Sequence, residues 1–113
     1  MAESIEQLRR HLAALPNDRE LMLRLGRECM KAAWSSGSDG DALYREAKYL
    51  YFELVNRDPA DSVALVNLGT VISDCGGHEA ALVYYRRAEE QGFKDRRLRF
   101  NMSVALINLR RVD

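Results

Sequence analysis

The side chains able to do chemistry are few, and their spacing is poor for most of it. Cys75 and His78 stand three residues apart, a separation that suits two metal ligands, but Gly76-Gly77 lies between them. No second such pair exists to complete a tetrahedral site. The glycine pair itself lacks the lysine and the serine or threonine that a phosphate-cradling loop needs, and reads as a turn. Asp74 and Glu79 fall near helix ends, where they read as solvated charges. His11 reads as a surface or boundary histidine. Cys29 and Cys75 take interior-looking helical positions without a C-x-x-C spacing, the pattern of reduced, buried thiols. No nucleophile with a base, no carboxylate pair and no ligand cluster has a workable spacing. The expectation is a protein that is not an enzyme and carries no cofactor or metal.

Charge narrows the partners. The chain of 113 residues has 17 Lys and Arg against 17 Asp and Glu, which argues against nucleic acid or a membrane surface as a bulk electrostatic partner. The balance is uneven along the chain. Lys94, Arg96, Arg97, Arg99, Arg110 and Arg111 face only Asp95 and Asp113 in residues 94–113, a net +4 that leaves −4 for residues 1–93. The opening MAESIEQLRRHL has no apolar core of signal-peptide length, and no run approaches a membrane span, so a cytoplasmic location is expected.

The element around which everything else is organised runs from Ser62 to Phe93. Its apolar residues form two helical stripes, Leu65, Leu68, Val71, Ile72 and then Ala81, Leu82, Tyr85, Ala88, separated by Cys75-Gly76-Gly77. This predicts a helix, a tight turn and a second helix. Gly69, Ala81 and Ala88 sit where two antiparallel helices approach closely. Such a hairpin has two apolar flanks left over, and copies of itself would cover them.

The copies are visible. Leu25-Gly26 recurs as Leu68-Gly69 after 43 residues and, decayed, as Met102-Ser103 after a further 34; Ala47 and Tyr51 recur as Ala81 and Tyr85, both after 34. Pro16 recurs as Pro59, and Phe93 stands where the next proline is due. A helix hairpin with a period of 34, a Leu-Gly pair on its first helix and an Ala-x3-aromatic spacing on its second resembles the tetratricopeptide repeat. The resemblance spans nearly the whole chain, although the usual tryptophan of the first helix is Leu65 or Met22 here. It implies an all-α fold, a right-handed superhelical stack of antiparallel helix hairpins in one domain over residues 1–113. Residues 1–16 form an N-terminal capping helix, 17–61 a first repeat with nine extra residues, 62–95 a second repeat, and 96–113 the first helix of a truncated third.

Six helices are predicted, near residues 4–15, 18–35, 41–57, 61–75, 78–91 and 95–110, with no strand. Ser4-x-x-Gln7 and Asn17-x-x-Glu20 are the expected capping boxes of the first two; Asp58-Pro59-Ala60-Asp61 is expected to break the chain and cap the fourth, and Asp95 is the expected N-cap of the sixth. The first helix should bury Ile5, Leu8, Leu12 and Leu15. The second and third should bury Leu21, Leu25 and Cys29 and then Ala47, Leu50, Tyr51, Leu54 and Val55. The nine extra residues fall around the Ser35–Gly40 loop, with Trp34 and Tyr44 at the tip.

In the resembled family the first helices of successive hairpins line a concave groove that holds a partner peptide. By phase, that face carries Arg24, Arg27 and Lys31 with Glu20, Leu23 and Met30 in the first repeat. In the second it carries Asn67 and Thr70 with Val63, Val66, Ser73 and Asp74. The last helix contributes Arg97, Asn101 and Asn108 with Phe100, Val104 and Ile107. Some members clamp a chaperone's terminal carboxylate here. Asn67 and Arg97 match that clamp in type and phase, but Leu23, Arg27 and Asn101 depart from it. The expected function is a non-catalytic protein-interaction module that binds an acidic or carboxylate-bearing segment of a partner, with Glu20 and Asp74 as the carboxylates able to neutralise the site. The alternative is an assembly module. Asp113 arrives halfway through a repeat, so Leu98, Met102, Leu106 and Leu109 are expected to form a partly exposed edge, covered by a second copy in a homodimer or by further repeats of a longer scaffold.

Overall fold

The computed structural model describes residues 3–112, with the backbone alone for residues 38, 39, 111 and 112. Among the described residues there are six α-helices and no strand: α1 (Ile5–Ala14), α2 (Arg19–Ser36), α3 (Asp41–Arg57), α4 (Ser62–Asp74), α5 (His78–Glu90) and α6 (Arg96–Val112). The Ser-Gly stretch expected to be a loop is instead helical. α2 runs on through Ser36, and Gly37–Gly40 form a single 3-10 turn leading straight into α3. Gly40 permits that tight passage, since a Cβ there would lie 2.8 Å from the Ala33 carbonyl oxygen. The chain divides into two compact units, residues 1–54 and 55–113.

Local chemistry explains where the helices begin. Ser4 and Gln7 form a reciprocal capping box at α1, each side chain bonding the other's backbone N–H at 3.1 and 2.9 Å, which satisfies donors that would otherwise have no partner. At α2 the cap is Asp18, one residue later than expected, and its Oδ1 accepts from the Leu21 N–H. Asp61 does the same for the Ala64 N–H at α4, and Asp95 accepts from the Arg97 N–H at α6.

Two helix ends share one design. Gly76 (φ 92°) follows α4 and Gly92 (φ 85°) follows α5. In each case the next residue turns back into the helix. Gly77 N–H reaches the Ile72 carbonyl at 2.9 Å, and Phe93 N–H reaches the Ala88 carbonyl at 3.2 Å. This is the glycine-dependent C-terminal motif in which a left-handed residue lets two further N–H groups find carbonyls. It also accounts for the lost proline, because proline at position 93 has no N–H to give.

In the first unit α1, α2 and α3 surround Leu8, Leu21, Leu25, Cys29, Ala47, Leu50 and Tyr51, all buried. Leu15 departs from the predicted stripe: it is 57% exposed, because α1 has already ended at Ala14. Arg9 of α1 and Glu46 of α3 form a forked ion pair, with Arg9 Nε 2.9 Å from Glu46 Oε2 and a second bond to Oε1. In the second unit α4, α5 and α6 bury Leu65, Leu68, Val71, Ala81, Tyr85, Ala88, Leu98 and Ala105.

Each unit holds one glycine against one tyrosine. A Cβ on Gly26 would lie 2.6 Å from Tyr51 Cζ, and one on Gly69 would lie 2.6 Å from Tyr85 Cε1. Ordinary carbon contacts are about 3.5–4.0 Å. The recurrence of Leu-Gly and Ala-x3-Tyr is therefore a recurring contact, in which the first helix gives up its side chain so that the ring of the second can lie on its backbone.

Candidate functional site

The glycine–tyrosine contacts settle which faces of α2 and α4 point inward, and so which are left to solvent. On α2, Glu20, Arg24, Arg27, Lys31 and Trp34 follow one another at spacings of three and four, which puts them on one face. All five are exposed, Trp34 at 59%. Leu23 and Met30, expected on the same groove, are buried. They lie on the shoulder of the apolar stripe, and a helix with hydrophobic residues at 21, 22, 23, 25, 29 and 30 buries a broader arc than the phase of its Leu-Gly pair suggests. The exposed face is thus narrower than predicted and more cationic.

Nearby carboxylates balance this face loosely. Glu20, expected to neutralise Arg24, lies 3.0 Å from Arg19 instead. Arg24 is 3.6 Å from Glu3, and Lys31 is 3.5 Å from Glu28, with both cationic side chains 58% exposed. Exposed pairs of this kind contribute about 0–1 kcal/mol. Arg27 has no ion pair among the described residues. Trp34, expected at the tip of the hairpin with Tyr44, shares the cationic face because α2 continues through Ser36 and keeps residue 34 in helical phase with Arg27 and Lys31; Tyr44 is half-buried.

In the second unit the predicted polar residues divide. Thr70 is the centre of a closed network. Its hydroxyl donates to the Val66 carbonyl at 2.9 Å and accepts from Tyr85 OH and from Asn101 Nδ2, each at 3.2 Å. One donor and two acceptor sites are all used. Thr70 and Asn101 thus tie α4, α5 and α6 together, and the Thr70 hydroxyl has nothing left for a ligand. Burial raises the Tyr85 phenol above its usual pKa, and the Thr70 bond partly offsets this. Asn108 donates to the Val104 carbonyl of its own helix. Asn67 is half-buried, and its amide has no hydrogen bond among the described residues. Asn101, which precedes Met102-Ser103 as Asn67 precedes Leu68-Gly69, is the one of the two asparagines that bonds to another helix. Arg97 extends into solvent beside Asp95, at 3.7 Å.

The predicted edge of α6 also divides. Leu98 is buried and Met102 and Leu109 are half-buried; only Leu106, at 46%, is exposed. Phe100 (68%) and Ile107 (52%), which phase assigned to the groove, are the most exposed apolar side chains among those described on this helix. The sequence already held the signal: Leu98, Met102, Ala105 and Leu109 form a complete inward stripe, which leaves residues 100 and 107 on the far side.

The two thiols differ. Cys29 is fully buried against Glu46, and desolvation followed by that carboxylate pushes its pKa up to about 12. Cys75, expected inside, is exposed because it caps the C-terminus of α4 rather than continuing its apolar stripe. His78 is held by Ser73, with Ser73 Oγ 2.9 Å from His78 Nδ1, and His11 is a surface residue 2.6 Å from Glu3 Oε2. Among the described residues no three His, Cys, Asp or Glu side chains are grouped to hold a metal ion, and no helix is long and apolar enough to cross a membrane. No family model matches the chain, and no curated protein matches it.

Proposed function

We propose that this chain is a tetratricopeptide-like interaction module, non-catalytic and intracellular, that binds an acidic segment of a partner protein along the exposed face of α2. The observation that carries the reading is the row Arg24, Arg27, Lys31 and Trp34, exposed on one helix face. The helix repeat, with glycine and tyrosine paired in the same way in each unit, supports the family reading.

The chemistry suits a carboxylate-bearing peptide. Arg27 offers a planar fork that takes a carboxylate through two parallel bonds, and it gives up no internal ion pair to do so. Arg24 and Lys31 give up only weak, exposed ones. Arg24 and Lys31 are about 10 Å apart along the helix axis, about the length of three residues of extended chain. The segment therefore carries two or three acidic residues within about four positions. An apolar or aromatic residue follows at the Trp34 end, where the indole supplies contact area with little side-chain entropy to lose.

A peptide array that varies the number of acidic residues tests this. Signal should rise with acidic residues spaced two or three apart, increase further with an aromatic residue beside them, and fall in the Arg24→Ala, Arg27→Ala double variant while its helical circular dichroism is unchanged. Undiminished binding by that variant would place the ligand elsewhere.

A further inference from the structure

The outer face of α6 is a second surface, independent of the α2 row. Phe100, Ser103, Ile107 and Arg110 follow one another at spacings of three, four and three, with Arg96, Arg99 and Leu106 beside them, and all are exposed. Apolar side chains at such spacings form a seam of the kind that receives another helix. Ser103, a small residue at its centre, permits close approach. Arg96 and Arg110 stand at the two ends of the seam and Arg99 lies along one side, no acidic residue shares it, and none of the three has an ion pair among the described residues.

The chain supplies two examples of what covers an equivalent face. Met102-Ser103 holds the phase of Leu25-Gly26 and Leu68-Gly69, whose glycines are covered by Tyr51 and Tyr85 of the helix that follows. A Cβ at either glycine would lie 2.6 Å from the ring. Ser103 already carries that carbon, so a tyrosine cannot take the same seat on α6. A second copy has its own Tyr51 and Tyr85 buried, each at 1% exposure, so it has neither ring free to offer α6. Two copies meeting α6 to α6 would also bring six arginines together. We infer that this face docks an amphipathic helix of a different protein, with a small or aliphatic residue over Ser103, an apolar stripe over Phe100 and Ile107, and carboxylates placed to face Arg96 and Arg110 at the two ends and Arg99 at one side. Opposite charges at the rim steer such a helix, and like charges reject others.

The test uses the whole chain and designed helical peptides with one Leu/Ala stripe, differing only in glutamate or lysine flanks, read by fluorescence anisotropy. The glutamate-flanked peptide should bind at least about tenfold more tightly, and a tyrosine over Ser103 should weaken it. Arg99→Glu with Arg110→Glu should invert the preference, whereas Arg24→Ala with Arg27→Ala should leave it unchanged, which separates this surface from the α2 row. Equal binding of the two peptides, no binding of either, or a preference that survives the charge reversal overturns the inference. So does a concentration-dependent dimer in light scattering that Ile107→Glu abolishes, since a second copy would then be the occupant.

Discussion

Replacing Gly69 by alanine sets two effects of known sign against each other. In an open helix interior the change stabilises by about 1 kcal/mol, because alanine loses less backbone entropy. Here the added carbon would lie 2.6 Å from Cε1 and 2.8 Å from Cδ1 of Tyr85, a ring that is 1% exposed and tied through its hydroxyl to Thr70. The ring must move by about 1 Å to restore ordinary contact, and overpacking of that kind costs about 1–3 kcal/mol. The net effect is a loss of about 0–2 kcal/mol, read as a midpoint shift in urea or as a fall in Tm of about 4 °C per kcal/mol for a chain of this size. Gly69→Leu, which adds a full side chain in the same space, loses more. Tyr85→Leu removes the ring, and in that background Gly69→Ala should recover its helix-propensity gain. The double-mutant cycle thus shows a coupling of about 1–3 kcal/mol. If Gly69→Ala stabilises the protein equally with and without the tyrosine, the glycine is not there to seat the ring and the reasoning fails.

Three further outcomes follow from the same structure. The Arg9 pair lowers the pKa of Glu46 below the usual 4.5, so the folded chain keeps this carboxylate ionised to lower pH than the unfolded chain does. The pair's contribution is full above about pH 5 and is lost as pH falls through the lowered value. Glu46→Gln should therefore be less stable by about 0.5–1 kcal/mol near pH 7, after discounting for solvent screening, with the gap closing in urea titrations below about pH 4. Gly92→Ala forces a left-handed conformation on a residue with a Cβ and should cost about 1 kcal/mol or more, and Phe93→Pro, which deletes the N–H that reaches Ala88, should also lower the melting temperature. A thiol reagent at neutral pH should modify Cys75 rapidly and Cys29 only after denaturation, because Cys75 is exposed whereas Cys29 is buried with a raised pKa; two equally fast thiols would contradict the placement of Cys29.

The helices were legible because they rest on local rules. All six begin and end within two residues of their predicted limits, Ser4 and Asp95 cap as expected, and within the Asp58–Asp61 break it is Asp61 that caps α4. The misses came where two local rules compete or where burial depends on a neighbour. Asn17 and Asp18 are both good caps, and only backbone geometry selects Asp18. Ser35–Gly40 has a loop-like composition, yet continuation of α2 and a 3-10 turn satisfy its backbone more directly. Cys75 falls on an apolar phase, but the turn at Gly76 ends the helix there. In the candidate site, the exposure of Arg24, Arg27 and Lys31 followed from helix phase. The burial of Leu23 and Met30 did not, since phase gives direction and the width of the buried arc is set by packing. The bonds that use up the Thr70 hydroxyl involve three helices, and a single-helix pattern carries no trace of them.

The central claim is that the cationic row on α2 recognises acidic residues, and a charge swap across the interface tests it most directly. Titrate wild type and Arg27→Glu with one labelled peptide carrying Glu-x-Glu beside an aromatic residue, and with its Lys-x-Lys counterpart, at two salt concentrations. The prediction is that wild type prefers the acidic peptide with an affinity that falls as salt rises, and that Arg27→Glu loses this preference and gains affinity for the lysine peptide. An unchanged preference in Arg27→Glu, with its fold intact, would contradict the account.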